Sequence, residues 1–128
     1  MKKLIAALAV LMFMGNVFAQ SQAEQTSPSG GRARADIMRV VRQNMPSLQF
    51  AYNQRLRDIP DLRGEVIVRW SIDEFGNVVN AQLQSSTVGD ETLAQTIVSR
   101  IMSWKFGRVN IPGDITEVSY PFIFSPGN

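Results

Sequence analysis

The sequence predicts an α+β fold: a three-stranded antiparallel sheet with two helices packed on one face, in the order α-β-β-α-β. Three observations carry this. Two alternating runs within residues 64–87 flank the turn Asp73-Glu74-Phe75-Gly76-Asn77, which is a hairpin pattern. Apolar residues recur at helical spacing on both sides of that hairpin, from Ile37 to Leu56 and from Leu93 to Trp104. A last alternating run, Val118 to Phe124, supplies a third strand.

The first helix is expected from Asp36, a good N-cap residue, to about Arg57. Its stripe is Ile37, Val40, Val41, Met45, Leu48, Tyr52 and Leu56, with Asn44 as the polar member. Pro46 lies inside it, where it removes a hydrogen bond and crowds the Arg42 carbonyl, so a kink or a break is expected there. Ile59-Pro60-Asp61 closes the helical region.

In the first strand, Val66, Val68, Trp70 and Ile72 share a face, with Glu65, Ile67, Arg69 and Ser71 on the other. In the second, Val79, Ala81 and Leu83 oppose Asn80, Gln82 and Gln84, giving a sheet with one buried and one wet face. Gly76 provides the positive φ of a tight turn. Asp90 caps a second helix from Glu91 to Trp104, with the stripe Leu93, Ile97, Ile101 and Trp104 widened by Val98 and Met102. A loop follows, from Phe106 to Asp114. In the third strand, Val118, Tyr120, Phe122 and Phe124 alternate, and Pro121, which cannot donate to a ladder, marks a sheet edge.

The 128 residues suit one folded domain, expected over 34–128. Lys2 and Lys3, the apolar run Leu4 to Phe13 and the sequence Val17-Phe18-Ala19 read as a Sec-type signal peptide over 1–19, cut after Ala19. An uncleaved anchor is the other reading, but the apolar run is short beside the about 20 residues of a span, and Gly15-Asn16 interrupts it. Residues 20–33, with Pro28, Gly30 and Gly31, read as a disordered linker. Localisation is therefore expected to be periplasmic or secreted, with no permanent span after cleavage.

Removing the signal changes the charge. The chain has 13 Lys and Arg against 11 Asp and Glu, and Lys2 and Lys3 leave with the signal, which makes the remainder 11 of each. That balance speaks against nucleic acid. The mature part carries ten Arg and a single Lys, Lys105. The Arg-rich first helix (Arg39, Arg42, Arg55 and Arg57, with Arg32 and Arg34 ahead of it) either faces solvent or meets an anionic lipid, peptidoglycan or acidic partner. With neither Cys nor His, the chain has no disulfide and lacks the commonest base and zinc ligand. No cofactor, metal or catalytic set is expected. Asp73 and Glu74 read as turn residues. Ser85, Ser86 and Thr87 have no partner base suggested by sequence, and Trp70, Trp104, Phe106, Phe122 and Phe124 read as core.

The ordered landmarks are Tyr52 and Leu56, then Pro60, Leu62 and Gly64, then Ile72, Asp73, Gly76 and Val78. Ser86-Thr87, Trp104, Phe106 and Tyr120-Pro121-Phe122 with Phe124 complete the set. With these, the chain over about Asp36 to Ser125 resembles the TonB C-terminal domain superfamily, most of all its AgmX/PglI C-terminal branch. Many such relatives carry a cysteine where Ala51 stands here and another where Thr96 stands. The resemblance implies that these two residues lie close together, packed without a bond. It also implies a third strand at the sheet edge that accepts an extended peptide from an envelope protein. The partner-binding candidates are then Glu117, Ser119, Pro121 and Ile123. Strand addition draws affinity from backbone groups, whereas Pro121 could equally protect the edge from aggregation; both readings stay open at this point. The expected function is a periplasmic protein-interaction module of a transport, secretion or gliding-motility type assembly. The alternative is a stand-alone exported structural or inhibitory protein that reuses the fold without energy transduction. Self-association as a homodimer is left open.

Overall fold

The computed structural model describes residues 30–127. The expected signal peptide and residues 20–29 of the expected linker lie outside the described residues. The elements are α1 (Arg34–Leu56), β1 (Gly64–Ile72), β2 (Val78–Ser86), α2 (Glu91–Met102) and β3 (Thr116–Phe124). This is the expected α-β-β-α-β order. All pairings are antiparallel, and the sheet order is β2-β1-β3, so β1 is central and both β2 and β3 are edges.

The inward face of β1 behaves as its alternation dictates, with Val66, Val68, Trp70 and Ile72 all buried. Facing them are Ile37, Val41, Leu48 and Tyr52 of α1, and Leu93, Ile97 and Ile101 of α2, in one continuous core. The five aromatic residues read as core are all buried. Trp70 meets Trp104 edge-on at 5.7 Å and lies nearly parallel to Phe122 at 6.4 Å. Tyr52 packs 5.0 Å from Phe124 and donates from its hydroxyl to the Leu62 carbonyl at 2.5 Å. Burial raises the pKa of that phenol, because the charged form loses its hydration.

α1 begins two residues before the expected cap. Ala33 occupies the N-cap position and offers no side-chain acceptor, while Asp36 sits in the first turn, paired with Arg39. Pro46 does not break the helix, which runs through it as one element. The chain ahead of α1 is fixed at its last residues, within the stretch expected as linker. The Gly31 N–H donates to Asp114, and Arg32 is buried with its guanidinium on the Gly107 carbonyl and the Thr116 hydroxyl.

β2 departs from simple alternation. Register shifts fall between Ser71 and Ile72 and between Ile67 and Val68 of β1, so Val79 and Gln84 have no directly opposed partner. Val78 rather than Val79 therefore opposes Ile72 and is buried, while Val79 is 51 % exposed. The bulge inserts one residue and shifts every side chain before it to the other phase. Leu83, opposite Val68, keeps the inward phase but stands on a free edge and is 36 % exposed. Met102 is also exposed, so it does not widen the α2 stripe as expected, whereas Val98 packs partly buried against the core.

The hairpin turn follows its sequence. The Asp73 carboxylate accepts from the N–H groups of Phe75 (3.0 Å) and Asn77 (2.9 Å), and Gly76 has φ +94°. These donors hold the Asp73 carboxyl below its ordinary pKa, that of Asn77 first. A Cβ on Gly76 would come 2.0 Å from the Phe106 carbonyl oxygen, because the turn is bonded to the segment after α2 through Phe106 N–H and Gly76 C=O. The end of β2 and the residue after it are tied to backbone: Thr87 bonds Glu65 through both its N–H and its hydroxyl, and the Ser86 hydroxyl accepts from Val88.

Two polar links join the helices. Arg100 of α2 donates to the Ser47 hydroxyl of α1 at 2.6 Å, and Arg55 of α1 grips Asp90 with Nε at 2.8 Å and a second nitrogen at 3.1 Å. Ala51 lies four residues beyond Ser47, and Thr96 four residues before Arg100, the two residues that this hydrogen bond joins. Asp90 is also the α2 cap, accepting from the Leu93 N–H.

Tyr52→Phe should destabilise the domain by about 1–2 kcal/mol, because the buried Leu62 carbonyl loses its donor; a denaturant midpoint shift at unchanged slope measures it. The Arg55 hydrogen bonds hold the Asp90 carboxyl below its ordinary value of 3.8. Its stabilising contribution is therefore complete above that ordinary value and is lost as the pH falls through the lower folded-state value. In Asp90→Asn, which keeps a capping oxygen but removes the charge, the acid limb of a stability-against-pH curve should be shallower and the plateau lower.

Candidate functional site

β3 pairs with β1 along its whole length, from Thr116 opposite Ile72 to Phe124 opposite Gly64. Its other side has no strand partner among the described residues. The register decides which backbone groups face that side. The Glu65 carbonyl accepts from Thr87, on the β2 side of β1. In an antiparallel ladder the two backbone groups of a residue point the same way, and the direction alternates along the strand. Glu65, Ile67, Arg69 and Ser71 therefore bond toward β2. Their partners on β3 are Ile123, Pro121, Ser119 and Glu117, so these four turn their backbone groups away from β1.

This explains how Pro121 sits within a continuous strand. Its missing N–H falls on the free side, and the ladder to β1 loses nothing. The outer edge keeps N–H groups at Glu117, Ser119 and Ile123 and carbonyls at all four positions, with one donor missing at Pro121.

The side chains of the same four residues lie on the sheet face opposite the helices, alternating with the buried Thr116, Val118, Phe122 and Phe124. They divide into two pairs. Glu117 is gripped by Arg69 of β1 with contacts of 2.6 and 3.2 Å, and the Ser119 hydroxyl donates to Gln84 of β2 at 2.8 Å, reaching across β1. The side chains of Pro121 and Ile123 are apolar. With Ile67 opposite Pro121 they form an apolar strip, of which Ile123 is 71 % exposed. At the polar end, Arg69, Ser71, Asn80, Gln82 and Glu117 line a shallow cleft of about 200 Å³.

The expected Arg-rich face of α1 is divided by the fold. Arg34, Arg39, Arg42 and Arg57 are exposed, Arg55 is committed to Asp90, and Arg32 is buried against the loop after α2. The interior position of Arg32 was not foreseeable from its polar surroundings in the sequence. Among the described residues, no group of three or more His, Cys, Asp or Glu is placed to hold a metal ion, and no helix is long and apolar enough to cross a membrane.

No family model matches the chain, and no curated protein matches it. Among solved structures, the chain is similar to one described as the solution NMR structure of the Pseudomonas aeruginosa TonB CTD. The identity is 21 %, the match covers 58 % of this chain and 76 % of that one, and the TM-score is 0.44.

The cross-strand contacts on the open face give a separable expectation. Glu117→Ala removes a solvent-exposed pair and should cost no more than about 1 kcal/mol. The measurable change is in salt response: part of the fall in thermal midpoint on adding salt should vanish in the variant.

Proposed function

We propose that this chain is an exported protein-interaction module of the TonB C-terminal kind, of the AgmX/PglI type, working in the periplasm. An extended segment of a cell-envelope protein adds to the outer edge of β3. The observation that carries this reading is the free backbone row of Glu117, Ser119 and Ile123, next to an exposed apolar strip. Strand addition takes its affinity from such a row and its specificity from alternate side chains. Here Ile67, Pro121 and Ile123 would read apolar residues of the incoming segment, and Glu117 with Arg69 would read polar ones. The missing donor at Pro121 costs the added strand one bond and limits indiscriminate pairing, an edge-protecting role compatible with selective binding. The reading assigns no catalytic step to any residue.

Ser119→Pro tests the edge directly. Its N–H points outward, so the substitution removes a donor from the free row while leaving the bonds to β1 intact. With a photo-cross-linking residue at position 123 in cells, a discrete cross-linked envelope protein is expected, and it should be lost in the Ser119→Pro background while the thermal midpoint stays within a few degrees. Unchanged cross-linking in a folded Ser119→Pro protein would remove the edge from consideration. A cross-link only between two copies of this chain would replace the proposed partner by a homodimer.

A further inference from the structure

The loop after α2 and the first turn of α1 enclose a second cleft, of about 180 Å³, lined by Arg32, Asp36, Arg39, Phe106, Gly107, Arg108 and Val109. Three guanidinium groups and one carboxylate border it. Their internal pairing is incomplete. Asp36 is engaged by Arg39. Arg32 is only 6 % exposed, yet among the described residues no carboxylate lies within ion-pair distance of it; its nitrogens meet the Gly107 carbonyl at 2.5 and 3.2 Å and the Thr116 hydroxyl at 3.2 Å, all neutral acceptors. Asp114 reaches it through the Thr116 hydroxyl, which donates to that carboxylate at 3.4 Å, and Asp73 and Asp36 act on it through space, but desolvation outweighs them and lowers its pKa. Arg108 has no ion pair among the described residues and stands over the Phe75 ring with its guanidinium carbon 5.0 Å from the centroid. A buried cation with only neutral partners is costly unless a counter-charge is supplied. α1 also starts here without a side-chain cap, so the positive end of its dipole adds to the same field.

We infer that this cleft is a binding site for a small oxyanion, a carboxylate or phosphate group, held by Arg108, with Arg39, shared with Asp36, and the buried Arg32 adding to the field. Guanidinium groups match two oxygens of such a group at once. The site is remote in kind from the β3 edge: it reads charge, and the edge reads backbone. Its failure would leave the strand-addition reading untouched, and the reverse also holds.

The test is a titration of the purified full chain with inorganic phosphate, and separately with acetate, followed through amide resonances of Ala35, Gly107 and Arg108. Sodium chloride at matched ionic strength serves as reference. Saturable shifts with phosphate or acetate and not with chloride are expected, and the stronger of the two names the source, a phosphate group or a carboxylate. Arg108→Gln should weaken the binding about tenfold, the size of one lost charge-assisted contact, with an unchanged thermal midpoint. Arg32→Gln should weaken the binding as well; should it fail to fold, Arg108→Gln still decides the matter, since that side chain is exposed. Shifts that match chloride, or binding that is the same in Arg108→Gln, would overturn the assignment and leave an adventitious ion only.

Discussion

The packing of Trp70 against Trp104 and Phe122 is the contact on which the rest of the structure depends. It joins the central strand, the end of α2 and the edge strand β3 at one point. Aromatic pairs at these separations add to the ordinary gain of burial. Because Trp70 sits on β1, it fixes which face of the sheet is covered. Because Trp104 directly follows the last turn of α2, it fixes where the following loop starts. From there Phe106 reaches back to Gly76, and the hairpin turn and the loop lock each other in place. One buried donor in this cluster, the Trp70 indole N–H, has no hydrogen-bond acceptor among the described residues, so shape rather than polar complementarity holds the cluster.

A sheet of three strands with helices on one side leaves an open face and two free edges. The two edges are not alike. β2 carries bulges at two places and ends in side chains that bond backbone, features that twist and blunt an edge. β3 is regular from Thr116 to Phe124, and its one irregularity is chemical, the donor missing at Pro121. A regular edge beside an apolar strip can take another strand; a bulged one is poorly suited to it.

Much of this was legible in the sequence because it depends on local chemistry. Alternation placed Val66, Val68, Trp70 and Ile72 inward, Asp90 announced its helix, and Asp73 with Gly76 specified the turn. The edge position of β3 followed from Pro121 alone. What escaped the sequence depends on contacts between distant residues. The exposure of Val79 comes from a bulge that no alternation pattern reports. Asp36 looked like a cap, yet the helix starts earlier because Gly31 and Arg32 are tied to Asp114, Gly107 and Thr116, over seventy positions away. Pro46 suggested a kink or a break; the helix does not break there, because tertiary packing on both sides of it outweighs one lost bond. The candidate residues were identified as a set facing one way; that Glu117 and Ser119 are tied to Arg69 and Gln84 needed the register.

The tie at Gly31 and Arg32 also has a mechanical side. It joins the chain ahead of α1 to the loop that leads into β3, not to the helix alone. A tension applied through the residues before Gly30 would meet Asp114, Gly107 and Thr116 before reaching the first turn of α1. The load would then pass into the same strand that offers the free edge, so a pull on one end of the chain and a grip on that edge would share a short path and leave the aromatic core largely outside it.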